Sequence, residues 1–336
     1  MRIGLALPHY DFSVPGERPL RFETIVEYAQ HAEQLGFDSL WVSDHVFLDI
    51  GKYGGPDTPE ATYDPFVLLS ALARVTTKPR LGTLVMLEAL RPAGITAKAL
   101  ASLDRVSGGR LDIGIGAGWY EPDYEAVGLQ MPRPGVRLQR LDEAIVALDA
   151  SLGGGPATVD GDFHRLDGAW NHPPALQTPR PPIIVGGKGD RLLDLVARRA
   201  DGWNTCWVWT HEQYRERLAA LEAACERVGR DPRTVQRSVG LYTLIGTDQT
   251  DIEERFARFC RRAPSGVMDG VDFDEWRQGR LVGTVDEVAE QVDAWAALGV
   301  EELVCCLGSV PFSVWGVEEL ELVADTLRRS ADSISR

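Results

Sequence analysis

The chain is 336 residues and 37.0 kDa, with 44% apolar and 25% charged residues, enough to bury one large core or two ordinary ones. Its formal net charge of −15 and pI near 4.9 offer no basic face of the kind that nucleic acid or an anionic membrane requires. No apolar run reaches the ~20 residues of a membrane span and no signal h-region follows Met1-Arg2; the five cysteines, Cys206, Cys225, Cys260, Cys305 and Cys306, form no CxxC pair, so reduced thiols and a cytoplasmic location are expected.

Along the chain, short apolar runs alternate with longer amphipathic ones, the pattern of strand–helix units around a parallel sheet. A strand over 3–7 stops at Pro8 and leads into a loop holding His9, Tyr10 and Phe12, expected to be long and mobile. A helix over 22–35 follows, with Ile25, Ala29, Ala32 and Leu35 on one face and Gly36 as its stop. The second strand, 39–42, delivers Ser43, Asp44 and His45. A Gly- and Pro-rich loop then reaches Asp64-Pro65, an N-cap with proline in the first turn. Strand three is placed at 81–86, its helix at 95–107, strand four at 111–115 and its helix at 136–152. Residues 153–182 break the alternation, and VDGDFHRL within them reads as a small hairpin. Strands at 183–185, 202–205, 239–245 and 302–307 follow, interleaved with helices at 191–199, 212–228, 251–262, 286–298 and 317–328. Residues 264–279 read as a polar excursion.

Eight such units in one domain over 1–336 predict a (β/α)8 TIM barrel, with the hairpin-containing segment 153–182 inserted after the fourth helix. The rival, a doubly wound open sheet, asks for a dinucleotide fingerprint near the amino terminus, where this chain has Pro8-His9. Barrel chemistry gathers past the carboxyl ends of strands. There the chain places His9, Asp44 with His45, residues 84–87, residues 117–121, Gly186 to Gly189, Cys206 with Trp207, and residues 308–310. No spaced cluster of metal ligands, GxSxG elbow or GKS/T loop is among them, so no metal is expected. Gly114, Gly116 and Gly118 bare the main chain of RLDIGIGAGWYEPDYEAVG at 110–128, either for close approach of a flat group or for a tight corner. Arg137 and Arg140 read as a solvated helix face.

Six motifs make a resemblance specific: LGFDSLWVSDH at 35–45, LGTLVM at 81–86, SGGRLDIGIGAGWYEPDYEAVG at 107–128, PGVRLQRLDEAI at 134–145, PPIIVGGKGDRLLDLVARRADGWN at 181–204 and GTVDEVAEQVDAWAALGVEELV at 283–304. Together they resemble the bacterial luciferase-like superfamily of flavin and deazaflavin oxidoreductases, and GAGW with DGWN resembles its coenzyme F420-dependent branch. The resemblance implies a cofactor across the strand ends and a non-prolyl cis peptide at Leu84–Val85. It sets Asp44 and His45 on the reactive side, Ala117, Gly118 and Trp119 at the ring, Gly186, Gly187 and Lys188 at the phosphate, and Cys206 and Trp207 flanking it. Where Trp119 stands, sugar-phosphate dehydrogenases of the superfamily carry glutamate, which sets this chain apart from them.

The resulting expectation is an F420-dependent oxidoreductase passing a hydride to or from a small organic substrate. His45 is its acid/base group, supported by Asp44 and Glu121, because the unperturbed imidazole pKa of ~6.5 serves either direction. Lys52, Arg91 and Lys188 are candidates for the acidic F420 tail. The alternatives are an FMN-dependent monooxygenase of the same fold, fed with reduced flavin by a partner reductase, and a non-catalytic flavin-binding protein. A homodimer and an F420 or flavin reductase are the expected partners.

Overall fold

The computed structural model describes residues 1–334, and side chains through residue 328. Eight parallel strands close on themselves: β1 (Arg2–Ala6), β2 (Ser39–Val42), β3 (Arg80–Thr83), β4 (Leu111–Gly116), β5 (Ile183–Gly186), β6 (Gly202–Trp207), β7 (Gln236–Gly246) and β8 (Glu302–Cys306). Each pairs with its sequence neighbours, and β8 returns to β1 through Leu5↔Cys305 and Gly4↔Val304, so no sheet edge is left open around the ring.

Strand periodicity of two sorts the side chains. Ile3, Leu5, Leu40, Val42, Leu303 and Cys305 pack outward against the helices, whereas Ala6, Trp41, Val304 and Cys306 point into the barrel. Trp41 fills that interior only because β3 presents Gly82 opposite it: a Cβ there would lie 2.3 Å from the indole. At the amino-terminal end the barrel is plugged by buried acids with cationic partners. Glu302 meets Arg2 at 2.8 Å and accepts from Trp41 Nε1 at 3.1 Å, and Asp112 meets Arg80 at 2.6 Å.

The helices form where capping and amphipathic pattern coincide. In α1 (Phe22–Leu35) the buried residues are Thr24, Ile25, Tyr28, Ala29 and Ala32, and Gly36 ends the helix with φ 78°. In α2 (Pro65–Val75) Asp64 accepts from the N–H groups of Phe66 and Val67. Next are α3 (Ala93–Ser107), α4 (Pro134–Leu152) and α5 (Asp190–Arg199). Then α6 (His211–Arg227) and α8 (Val285–Ala297) open on capping boxes from Thr210 and Thr284, while α7 (Gln249–Arg262) is capped by Asp248. The 153–182 segment contains the expected hairpin, Pro156–Asp160 against Arg165–Trp170. His164 holds it to the barrel through Glu88 at 2.7 Å.

Three expectations are corrected. Strand three ends at Thr83, because the chain bulges through Leu84 and Val85 and resumes pairing at Met86–Leu87 beside Ile115 and Gly116. The excursion after α7 holds a short helix, Phe273–Trp276, and is followed by an unexpected strand, Leu281–Thr284, which pairs with the second half of β7 and explains why β7 runs for 11 residues. The final helix, α9, is Glu319–Ile334, longer than its apolar pattern indicated.

Candidate active site at the barrel mouth

The peptide Leu84–Val85 is cis, as expected, and so is Cys206–Trp207 across the mouth. The bulge also accounts for most of the bare glycines. A Cβ on Gly114 would sit 1.8 Å from the Thr83 carbonyl oxygen, one on Gly116 2.7 Å from Val85 Cγ2, and one on Gly186 2.8 Å from Val85 Cγ1. What approaches the main chain so closely is the protein's own bulge rather than a flat ligand. The bulge in turn presents Val85, half-buried, to the mouth. Gly118 differs, having φ 78° and a Cβ position 2.4 Å from Leu87 Cδ1.

His45 projects from the end of β2 with 13% of its side chain exposed, and its Nδ1 lies 2.6 Å from Oδ2 of the buried Asp123. The other Asp123 oxygen accepts the Val46 N–H at 2.8 Å, so the carboxylate fixes ring and backbone together. A carboxylate can only accept, which puts the proton of neutral His45 on Nδ1 and leaves the Nε2 lone pair. Nε2 makes no hydrogen bond among the described residues and is not sealed from solvent. Trp119 and Tyr120 meet the imidazole edge-on, each with centroids 5.7 Å away. Burial raises the Tyr120 hydroxyl to about 12, and that hydroxyl bonds Asp49.

The partners proposed for His45 are replaced. Asp44 is 2% exposed and its oxygens take Arg91 at 2.7 and 3.1 Å and the Leu87 N–H at 3.0 Å, so it ties the end of β2 to the chain after the bulge. Burial raises its pKa, against the pull of Arg91. Glu121 is exposed at the start of the short helix Glu121–Ala126, and Asp123, two residues on, occupies the supporting role instead. Arg91 is held by Asp44 and by Asp64 at 2.7 Å, which removes it from the candidates for an acidic tail.

His9 is not on a mobile loop: it is wholly buried between Tyr10 and Phe312, with ring centroids 4.4 and 4.9 Å away. Its Nδ1 donates to the Leu7 carbonyl at 2.9 Å, and Nε2 accepts from the Ser43 N–H at 3.2 Å and lies 3.0 Å from the Ser43 hydroxyl. Burial lowers its pKa to about 3, so it is a neutral structural pin.

Of the phosphate candidates, Gly187 has its N–H engaged by the Asn204 carbonyl at 3.0 Å, leaving none to donate. Lys188 is exposed beside Gly189, which caps α5 without a side chain, so the first-turn N–H groups there have no side-chain acceptor. Ala117 and Gly118 are half-buried at the end of β4, Trp119 is 47% exposed, and Cys206 and Trp207 open onto the mouth. Arg137 and Arg140 are no idle helix face: Arg137 donates to the Gly118 carbonyl, and Arg140 meets buried Glu88 at 3.2 Å.

Residues 1–302 match the family model of the luciferase-like monooxygenases, and the chain belongs to that family. It is an oxidoreductase of this kind. Among its relatives is the 5,10-methylenetetrahydromethanopterin reductase of Methanolobus tindarius, 31% identical over 70% of this chain and 64% of that one. The phthiodiolone/phenolphthiodiolone dimycocerosates ketoreductase of Mycobacterium tuberculosis is 29% identical over 83% of this chain and 86% of its own. In fold, an F420-dependent secondary alcohol dehydrogenase in complex with an F420–acetone adduct superposes with a TM-score of 0.77 at 20% identity, covering 98% of each chain.

Proposed function

We propose that the protein is an F420-dependent oxidoreductase that passes a hydride between the deazaflavin and a small alcohol or carbonyl compound. The observation that carries this reading is the His45–Asp123 pair, a carboxylate-oriented imidazole with its Nε2 free at the mouth. Moving a hydride between carbon atoms of cofactor and substrate changes the charge on the substrate oxygen, which then needs a proton donor or acceptor within hydrogen-bond reach. Two of the relatives named above are a reductase and a ketoreductase, which supports the same chemistry.

The residues present fit such a cofactor. The uncapped start of α5, with no atom within 4 Å of a Cβ placed on Gly189, is an open cradle for a phosphate, and Lys188 stands next to it. The Val85 bulge and the rings of Trp119 and Trp207 offer apolar walls for a flat heterocycle. When bound, F420 supplies two-electron hydride chemistry. His45 holds or moves the proton at the substrate oxygen through Nε2, and Asp123 keeps the imidazole in the tautomer that can do so. The buried His9 and Ser43 brace the strand ends beneath. A homodimer, a cytoplasmic location and a reductase that returns the cofactor to its working state belong to the same reading; among the described residues no helix is long and apolar enough to cross a membrane.

The test is a titration of the purified protein with F420 and with FMN, followed by absorbance and calorimetry. Micromolar F420 binding, with turnover lost and cofactor affinity kept in His45→Ala, is expected. FMN binding at that level with none for F420 would transfer the protein to the FMN-dependent monooxygenases of its family.

A further inference from the structure

Most of the partly buried arginines in this chain are neutralised by a carboxylate: Arg2, Arg80, Arg91, Arg140 and Arg180 each have one. Arg280, where the excursion returns to the barrel, has none within ion-pair distance among the described residues. Its Nη1 donates to the main-chain oxygens of Trp276 and Gln278, its Nε is buried with no hydrogen-bond partner, and its Nη2 makes no bond yet stays accessible. The guanidinium lies over two aromatic faces, Trp276 at 5.0 Å and Tyr242 at 5.5 Å. Burial opposes its charge, and no acid compensates.

Arg280 lines a concavity of about 640 Å³, a size that suits a small organic molecule. Tyr53, Trp207, Tyr242, Val267, Met268 and Trp276 give it apolar walls, and polar atoms complete the lining. Lys52 also lines it, with its ammonium 3.8 Å from the Trp119 ring centroid and in no ion pair among the described residues. Lys52 on its lining stands over Trp119, whose ring in turn meets His45 edge-on. Glu275, the acid on the lining, is exposed and does not reach Arg280.

We propose that this concavity is the substrate site and that Arg280 sets its specificity, for an alcohol or carbonyl compound with an apolar, aromatic-sized body and a carboxylate. The carboxylate takes the unpartnered and accessible Nη2, a charge-assisted contact to one of its oxygens. The substrate body lies on the aromatic walls. The inference deepens the oxidoreductase reading and rests on it for the chemistry: F420 would supply the hydride that forms a C–H bond as the carbonyl π bond opens, and His45, protonated on both nitrogens, would give its Nε2 proton to the substrate oxygen. The anion preference, however, is a binding property that can be read without turnover.

Calorimetry with phenylpyruvate and its neutral counterpart phenylacetone separates the two. The keto acid is expected to bind wild-type protein about tenfold or more tightly than the ketone, as one charge-assisted contact dictates. Arg280→Met should erase that ratio, Arg280→Gln should do so with a polar group of closer shape, and Arg280→Lys should retain part of it, with circular dichroism checking that each variant is folded. Equal binding of the two probes to wild type, or a ratio that survives both Met and Gln, overturns the assignment. So does expulsion of the keto acid by saturating F420, which would give the space and its cations to the acidic tail of the cofactor. Absence of F420 binding in the same titration would sink the F420 reading while leaving the anion preference measurable.

Discussion

Replacing Asp123 by asparagine tests the centre of the mechanism with the least change in shape. The buried carboxylate accepts from His45 Nδ1 at 2.6 Å and from the Val46 N–H at 2.8 Å. The amide oxygen of asparagine can keep the second bond, but its NH2 must then face Nδ1, so the imidazole proton moves to Nε2 and the lone pair turns inward. Two consequences follow with different sizes. Loss of one charge-assisted hydrogen bond lowers stability by ~1–3 kcal/mol, which urea unfolding reads. Loss of the correct tautomer lowers kcat by ~10²–10⁴ with little change in cofactor affinity, the range that general acid–base catalysis spans. Long-range ¹⁵N–¹H correlation spectra report the tautomer directly and need no substrate: wild type should show His45 protonated on Nδ1 and Asp123→Asn on Nε2. Glu121→Gln is the internal control, since the exposed Glu121 should change neither spectrum nor rate by more than about twofold. A wild-type spectrum already protonated on Nε2, or Asp123→Asn with full activity, would refute the assignment.

Two further predictions concern stability. His9 has its pKa lowered by burial from 6.5 to about 3, so between those values the unfolded chain binds a proton that the folded chain refuses. Stability from this site is therefore complete well above pH 6.5 and falls as pH drops, by ~1.4 kcal/mol at pH 5.5 and on the order of 4 kcal/mol at pH 3. Urea midpoints at pH 7 and 5.5 should move apart more in wild type than in His9→Gln, and equal movement would show that His9 is not the group. Gly186→Ala should cost ~1–3 kcal/mol, because its Cβ would fall 2.8 Å from Val85 Cγ1. Adding Val85→Ala should recover ~1 kcal/mol or more of that loss, and strict additivity of the two changes would mean that the glycine serves something other than the bulge.

The barrel was legible because its strands and helices carry different periods and their ends carry strong punctuation. Asp64-Pro65 opens α2 and Gly36 closes α1 by the local chemistry that marks them in sequence. The bulge at Leu84–Val85 was legible only by resemblance, since nothing in LGTLVM breaks an apolar strand pattern. Asp123 escaped notice because its partner is 78 residues away and EPDYE reads as a generic acidic helix start. Glu121, adjacent to the aromatic pair, drew attention for the wrong reason: proximity in sequence to Trp119 and Tyr120 does not determine which carboxylate turns inward. His9 was misplaced by the same logic. Its loop holds Pro8 and Pro15, but Ser13 bonds the backbone of His9 and Tyr10 at 3.2 and 2.9 Å and folds the loop back into the core. The strand Leu281–Thr284 is four residues long and runs straight into a capping box, which leaves too little pattern to see.

The distribution of charge reconciles an acidic protein with the anionic ligands proposed for it. At the bottom of the barrel Glu302 and Asp112 are matched by Arg2 and Arg80, and near the mouth Asp44 and Glu88 are matched by Arg91 and Arg140. These pairs cancel, so the formal charge of −15 belongs mainly to the outer surface, while Lys52, Lys188 and Arg280 stand around the mouth without ion-pair partners among the described residues. An approaching anion feels the whole molecule only within a Debye length, ~30 Å at 0.01 M salt but ~10 Å at 0.1 M. At ordinary ionic strength the outer charge is screened before the ligand reaches the strand ends, and the mouth cations act at contact distance in a half-buried setting where screening is weak. The same placement makes these cations discriminate among bound molecules, through their dissociation rates, rather than gather them from solution.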